Sequence, residues 1–359
     1  MKKKVLINSP RFYGIDEAIR EAFEQAGFEA VLLNYGTKTT LQEKLARQLG
    51  LKLPLLKPLL NPILKYYLGK ENRELLAAVR RERPDLIFII KGDHLFPETL
   101  RKIKSATNVP VVSYIWDDPF YSYAGIFADD YRRTNFAQGM PLYDYIFVYD
   151  TYYVEQIRQK GIDRVSYLPL ATDPQRYGQI KVSAAEKKEF GYDLCFVGAP
   201  HPNRVEIMES LKQYDLGVFG DGWVKYFMDQ GQKVPAYYKG LAAGEKVLKL
   251  YLSSRIALNV HDPEAKEGLN TRTFDILASG ASELVDYQKN LDLHFQVGEE
   301  IAAFRDKQEL LKLVQSYLSN DALLKEISNK GKRRVLNEHT WFNRVNSAIK
   351  TLSEQGIWN

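Results

Sequence analysis

The 359-residue chain has little of what disulfide, metal or membrane chemistry requires. It has one cysteine, Cys195, which excludes a disulfide within the chain. That cysteine stands in Asp-Leu-Cys-Phe-Val-Gly, a strand-like run, and reads as a small buried hydrophobe rather than a nucleophile. The five histidines are scattered and have no cysteine partners, so no zinc site and no other metal is expected. No apolar run reaches the roughly 20 residues that span a bilayer. The opening Met-Lys-Lys-Lys lacks the apolar core and small-residue cleavage site of a signal peptide, and a cytoplasmic location is expected. Internal repeats, low-complexity tracts and the three-glycine dinucleotide fingerprint are missing. The aromatic residues are not grouped with Lys and Arg, so no nucleic-acid partner is expected.

What is there is an ordinary soluble composition, 45% hydrophobic and 26% charged, in a chain long enough for two domains. The net charge of +5 has one source. Residues 41–70 hold Lys44, Arg47, Lys52, Lys57, Lys65 and Lys70 against Glu43, and the remainder balances. Pro54, Pro58 and Pro62 recur in the same stretch and should break a continuous helix there. It reads as an insertion of short turns, either packed on its own domain or offering a peripheral membrane contact.

Val5–Ile7 is a short buried strand. Ile15, Ala18, Ile19, Ala22, Phe23 and Ala26 follow at helical spacing with Gly27 as a C-cap, and Val31–Leu33 is the next strand. This opening predicts a parallel α/β sheet. Strands continue at 86–90, 111–115, 145–148 and 166–168, with helices near 72–83, 97–104 and 151–160. Lys91-Gly92-Asp93-His94 ends one strand, at the edge where open α/β sheets bind ligands. Trp116-Asp117-Asp118-Pro119 ends the next, and adjacent carboxylates after a core strand are costly unless solvated or used. Asp117 and Asp118 are therefore candidate general bases. The aromatic residues of 119–140 either stack on a sugar or form the loop's own small core.

A polar segment, 178–190, reads as a linker. A second set of strands follows at 194–197, 216–219, 256–260 and 282–285. Gly198 permits close backbone approach to a ligand. Arg204 opens a helix over 203–212 and is either a bidentate diphosphate ligand or an exposed first-turn arginine. Trp223 either covers a base or is core. His261, directly after its strand, either touches phosphate or is a hydrogen-bonded bystander. Helices are predicted at 245–253, 307–318, 321–337 and 341–354.

The stretch around which the rest is organised is Glu267 to Ala281, Glu-Gly-Leu-Asn-Thr-Arg-Thr-Phe-Asp-Ile-Leu-Ala-Ser-Gly-Ala. It joins a strand, an acidic loop containing Glu267, Gly268 and Leu269, and a helix whose first turns carry Asn270, Thr271, Arg272 and Thr273. A helix start offers unpaired N–H groups and partial positive charge, which suits a phosphate. Arg272 is on the wrong end of the helix dipole unless an anion sits there. Asp275 lies one turn further in and leans back toward the N-terminus. Two carboxylates around a phosphate cradle suggest a ligand with both hydroxyls and phosphates, such as a nucleotide sugar.

Glu267-Gly268, Asp275 and Ala278-Ser279-Gly280-Ala281 together resemble the Glu-x7-Glu signature of retaining glycosyltransferases with two Rossmann domains. Asn270-Thr271-Arg272-Thr273-Phe274-Asp275 more closely resembles the CgeB-type (spore maturation) glycosyltransferase-like family. Phe295–Glu300 and Glu338-His339-Thr340-Trp341-Phe342-Asn343-Arg344 agree with it, and Asp275 departs from it by one methylene. The resemblance implies a GT-B fold: an N-terminal Rossmann-like acceptor domain (1–178) and a C-terminal donor domain (190–340) facing across a cleft. The helix after 341 would return to the first domain. It implies transfer of a sugar from a UDP-, dTDP- or GDP-sugar to a glycan, protein or lipid-linked hydroxyl, with neither cofactor nor metal. Glu267, Asp117, Asp118 and Arg272 would carry catalysis. Gly198, Arg204, His261, Gly268, Leu269, Asn270, Thr271, Arg272 and Asp275 would hold the donor. The alternatives are a nucleotide-sugar epimerase on the same plan, or a silent paralogue that binds nucleotide or sugar.

Overall fold

A computed structural model of the chain describes residues 2–36, 57–120 and 131–358, together with positions 41, 45 and 49. Residues 42–44, 46–48 and 50–56 of the basic insertion and 121–130 of the aromatic loop after Asp118 fall outside the described residues. Among the described residues no helix is long and apolar enough to cross a membrane.

The chain divides into two compact units, Met1–Pro169 with Phe342–Asn359, and Leu170–Trp341. The first is built on a parallel six-stranded sheet of β1 (Lys4–Pro10), β2 (Glu29–Tyr35), β3 (Leu86–Ile90), β4 (Val111–Ile115), β5 (Tyr145–Val148) and β6 (Val165–Tyr167). Its strand order is β2-β1-β3-β4-β5-β6. β3, β4 and β5 are buried at every residue, as strands covered by helices on both faces must be. The helix Trp341–Glu354 and the residues after it belong largely to this unit. There the Trp358 ring lies 4.9 Å from Phe28, and Arg344 Nε donates to the Pro169 carbonyl at 3.0 Å.

The second unit has its own parallel sheet: β7 (Leu194–Val197), β8 (Leu216–Phe219), β9 (Tyr238–Gly240), β10 (Ile256–Asn259), β11 (Glu283–Asp286) and β12 (Ala302–Phe304). The order is β12-β11-β10-β7-β8-β9. Successive strands run outward from β7 in one direction and from β10 in the other. The chain therefore reverses direction between β7 and β10, and in the first sheet between β1 and β3. Loops at the strand ends part at such points and leave a crevice for ligands. In both sheets that crevice lies beside residues singled out by the sequence.

Several expectations change in detail. The prolines do not confine the first unit's long helix to residues 72–83. It runs Lys57–Glu82 with Pro62 inside, in its second turn, at the loss of one intrahelical N–H bond. The segment read as a linker holds a helix, Ala184–Phe190, started by a Ser183–Glu186 capping box. Leu170–Gly178 lies with the second unit rather than the first. Trp223 is core: it is fully buried, and its indole N–H donates to the Gly198 carbonyl at 2.8 Å.

That carbonyl is crowded from a second side. Gly220 has φ +142°, and a Cβ there would stand 2.2 Å from the Gly198 oxygen. We predict that Gly220→Ala lowers stability by on the order of 3 kcal/mol, through forbidden backbone geometry and displacement of the Gly198 loop. A thermal melt checks this; an unchanged melting temperature would show that the two loops are not locked together.

Candidate functional site

Phe196, the third residue of β7, is fully buried and carries two guanidinium groups over its ring. Arg204 lies 5.7 Å from the ring centroid and Arg272 5.6 Å. Arg204 comes from the helix Pro202–Ser210, and Arg272 from the helix Thr271–Ser279. Their N–H groups close over the carbonyl ends of β7 and β10. Arg204 Nε donates to Val260 O at 2.9 Å and Nη1 to Ala199 O at 3.2 Å. Arg272 Nη1 donates to Val197 O at 2.7 Å and Nη2 to Val260 O at 3.4 Å. Asp262 is 3.5 Å from Arg204 Nη2. Two cations and one carboxylate thus stand where the second sheet's strand order reverses, which leaves the site net positive.

The two arginines are not equivalent. Arg204 is 3% exposed and spends its donors on carbonyls and Asp262, so it corrects both expectations held for it. It is neither an exposed first-turn residue nor a free bidentate ligand; it fixes the loop and adds charge. Arg272 is half-buried and uses two of its five N–H donors on carbonyls, leaving donors for a ligand. Gly198 makes room for it, since a Cβ there would stand 2.5 Å from Arg272 Nη1.

His261 does not face a ligand. It is 1% exposed and both ring nitrogens are engaged. Nε2 accepts the Asn270 backbone N–H at 3.1 Å, so the ring proton sits on Nδ1, 2.7 Å from Asp286 Oδ1. Burial raises the Asp286 carboxyl, but the His261 pairing outweighs it and holds the carboxyl below its usual range. The histidine clamps the loop 261–270 between two strands.

Asn270 is likewise taken. Its Oδ1 caps Thr273 N at 3.2 Å, and its amide exchanges hydrogen bonds with Asn259 at 3.0 and 3.1 Å. Fully buried Asn259 also reaches Thr273 Oγ1 at 3.0 Å and Glu283 Oε1 at 2.8 Å. Burial pushes the Glu283 carboxyl well up, against the Asn259 hydrogen bond and the Arg272 charge. This network fixes the start of the Arg272 helix from beneath. The expectation that the Asn270 side chain cradles phosphate fails because the helix has already used it. Leu269 is 1% exposed and Gly268 is buried, so only their backbone could meet a ligand. Thr271 stays half-exposed.

The two acids have separate partners. Glu267 Oε1 lies 3.0 Å from Lys289 Nζ, at the partly open end of the loop. Asp275 is turned elsewhere: Thr172 Oγ1 donates to its Oδ1 at 2.7 Å, and the Tyr177 hydroxyl also bonds to it. Burial pushes the Asp275 carboxyl up to about 7 despite those hydrogen bonds. Asp275 therefore ties its helix to the segment Leu170–Gly178 and does not present a free carboxylate to ribose. The shorter side chain suits this inward contact.

His201 was missed by the sequence reading. It is half-buried at the start of the Arg204 helix, where burial first and the Arg204 charge second hold its imidazole below the ordinary value. At neutral pH it is uncharged and can donate one hydrogen bond. The signal available was its place in Gly-Ala-Pro-His-Pro-Asn-Arg, immediately after a core strand.

In the first unit, Lys91 at the end of β3 forms an ion pair with Asp117 at the end of β4. Asp118 instead closes a local turn, its Oδ1 accepting Phe120 N–H at 2.8 Å. Of the two candidate bases, Asp117 has the position facing out of the sheet edge; its side chain is 39% exposed. Among the described residues no group of three His, Cys, Asp or Glu side chains could hold a metal ion.

Residues 204–350 match the family model described as glycosyl transferase-like. No curated protein matches the sequence. Among solved structures, a sucrose-phosphate synthase from Thermosynechococcus elongatus superposes with TM-score 0.66 at 12% identity, covering 99% of each chain. The Anabaena protein HepE in complex with UDP-glucose gives TM-score 0.64 at 12% identity, over 98% of this chain and 99% of that one. A putative UDP-N-acetylglucosamine 2-epimerase from Listeria monocytogenes gives 0.54 at 13% identity, over 99% and 98%. The fold is that of the GT-B structures, and the glycosyl transferase-like match falls in the back half of the chain.

The Asp275 carboxyl generates a pH prediction. Its folded pKa of about 7 lies above the unfolded value near 4, so the native chain holds a proton the unfolded chain has lost. Its contribution is complete below about pH 4 and is lost as pH rises toward 7. Denaturant titrations at pH 5 and 8 should show Asp275→Asn losing less stability across that span than the wild type, by on the order of 2 kcal/mol. Equal losses would place the carboxyl in water.

Proposed function

We propose that the chain transfers a glycosyl group from a nucleoside-diphosphate sugar to a hydroxyl acceptor, without a divalent metal. The observation that carries this reading is the pair of guanidinium groups on the Phe196 ring at the reversal point of the second sheet. Breaking the sugar–phosphate bond places growing negative charge on the departing diphosphate. Preorganised donors in a partly dry site stabilise that charge without reorganising. Arg272 supplies the remaining guanidinium donors, with neutral His201 and the Thr271 N–H beside it. Arg204 supplies a fixed positive field from beneath, and Gly198 and Gly268 let the backbone approach. Glu267, at the mouth of the loop, takes sugar hydroxyls. Asp117 in the first unit is the base for an inverting route; a retaining route does not need it.

Uridine diphosphate is the first donor nucleotide to test, because HepE has been solved with UDP and with UDP-glucose. The Asn270–Asp275 run supports placing the chain with the CgeB-type proteins, and we read it as a cytoplasmic enzyme. Residues 41–70 are the candidate contact for a lipid-linked acceptor. The likeness to a putative epimerase keeps donor interconversion as the second reading.

A panel of UDP-, dTDP- and GDP-sugars, assayed for hydrolysis and transfer, tests the proposal. At least one donor should turn over, and EDTA should leave the rate within about twofold. Arg272→Met should lower kcat by about 10²–10³, the usual cost of removing one charge-stabilising donor. Glu267→Gln should impair turnover while leaving nucleoside-diphosphate binding close to wild type. Tight UDP binding with no turnover of any donor would make the chain a silent binder, and interconversion of donors without acceptor would make it an epimerase.

A further inference from the structure

Glu283 is the first residue of β11 and sits in register with Ala257 of β10. It is 3% exposed. Its Oε1 accepts from Asn259 Nδ2 at 2.8 Å. Its Oε2 is buried and meets no hydrogen-bond donor among the described residues, and Glu283 makes no ion pair with them.

Both its bonding and its surroundings favour the neutral acid. A carboxylate would leave one charged oxygen bare in the interior, whereas the acid leaves only a neutral group unmatched, at much lower cost. Burial raises the carboxyl well above its usual range; the Asn259 hydrogen bond and the Arg272 charge oppose this, and Asp286 and Asp275 reinforce it. The charged and titratable groups that act on Glu283 thus come from the helix Thr271–Ser279 (Arg272, Asp275) and from its own strand, where Asp286 is itself paired with His261. Tyr251, on the helix Glu245–Ser253, is close enough to feel its charge.

The hydrogen bonds of Asn259 give Glu283 a task. Asn259 has two amide hydrogens and three acceptors in reach: Glu283 Oε1 at 2.8 Å, Thr273 Oγ1 at 3.0 Å and Asn270 Oδ1 at 3.1 Å. The Thr273 hydroxyl carries a hydrogen of its own and is the acceptor that can go without. One Asn259 hydrogen then goes to Glu283 and the other to Asn270, whose amide returns a bond to Asn259 Oδ1 at 3.0 Å. That reciprocal pair sets the plane of the Asn270 amide, and Asn270 Oδ1 caps the helix that carries Arg272. An acceptor at position 283 keeps the Asn259 nitrogen, rather than its oxygen, turned toward β11.

We propose that Glu283 is a positioning residue for glycosyl transfer: as a neutral acid it orients Asn259, and through it the helix start that presents Arg272 to the departing diphosphate. The inference rests on the donor site proposed above. Ionising Glu283 would add a negative charge beneath Arg272. The two guanidinium groups on the Phe196 ring would then be offset by Glu283 as well as Asp262, and the site would lose its net positive charge. That loss weighs most on the transition state, where the leaving diphosphate gains charge.

The test follows donor turnover and UDP binding by the full chain from about pH 6 to about pH 10. The wild type should lose kcat on an alkaline limb, with the donor KM changing by less than about threefold. Glu283→Gln keeps a neutral acceptor of the same shape; it should hold the neutral-pH kcat within about threefold and lack the limb. Glu283→Leu fills the space without an acceptor and should lose kcat by about tenfold or more at every pH. Melting curves show which variants fold, and if Glu283→Leu does not, the comparison with Glu283→Gln still decides. UDP carries the charge that the leaving group acquires. Its affinity should therefore fall at alkaline pH by about tenfold more in the wild type than in Glu283→Gln, whether or not any donor turns over. Turnover with superimposable pH profiles for wild type and Glu283→Gln would overturn the inference and leave the transfer reading standing, as would wild-type kcat in Glu283→Leu. UDP binding with the same pH dependence in both would overturn it too. A chain that turns over no donor but shows the difference in UDP binding would uphold the hold of Glu283 on the anion site and sink the transfer reading.

Discussion

Cation–ring contact at the end of β7 is the constraint on which the second unit depends. Two guanidinium groups lie on one buried phenyl ring and are tied to the strand-end carbonyls, so neither can turn away to solvent without leaving carbonyl oxygens bare. Each carbonyl end carries partial negative charge, which tolerates two nearby cations better than an apolar pocket would. The loop from β7 must then pass close to Arg272, and only glycine at 198 leaves the space. Gly220 and Trp223 close the same loop from behind. A local requirement for positive charge thereby dictates two glycines, one tryptophan and the entry of two helices.

The helix carrying Arg272 is fixed in a matching way from the opposite side. Asn259, Asn270, Thr273 and Glu283 form a buried polar cluster beneath its first turn. Such a cluster is costly to bury and specific once satisfied, because each member has few alternative partners. His261 and Asp286 anchor the preceding loop by the same logic. The groups assigned to the ligand in the proposed reading, Arg272, Thr271, Glu267 and His201, are few, and the buried network beneath them takes no part in ligand contact in that reading. That division between holders and presenters is what a charge-stabilising site requires, since misplacement by an ångström costs much of the effect.

Much of this was legible in the amino-acid order. The buried runs 86–90 and 194–197 are apolar at successive positions, and 111–115 and 256–260 are broken only by Ser113 and Asn259, which suits strands buried between helices. The three-residue edge strands β9 and β12 were not legible, because neither Tyr-Lys-Gly nor Ala-Ala-Phe carries a period. Residue type also located the sites better than residue role. The motif around Asn270 pointed to a helix start that the structure has, with Asn270 as its N-cap. It could not say that Asn270, His261 and Arg204 serve the scaffold, since that depends on Asn259, Asp286 and the Val260 carbonyl, each distant in sequence or silent as a side chain. Asp275 is the clearest case. Its spacing from Glu267 suggests a shared ligand, and only the approach of Thr172 from about a hundred residues away shows the carboxylate facing inward.

The central claim is that Arg272, with the fixed charge of Arg204 beneath it, receives a diphosphate at the β7–β10 reversal point. Hydrogen–deuterium exchange of the full chain, with and without saturating UDP, reads this most directly, because backbone amides beside the anion slow when it binds. The account predicts protection concentrated at residues 198–205 and 260–274. Protection confined to the first unit, or no protection at a UDP concentration shown to saturate, would contradict it.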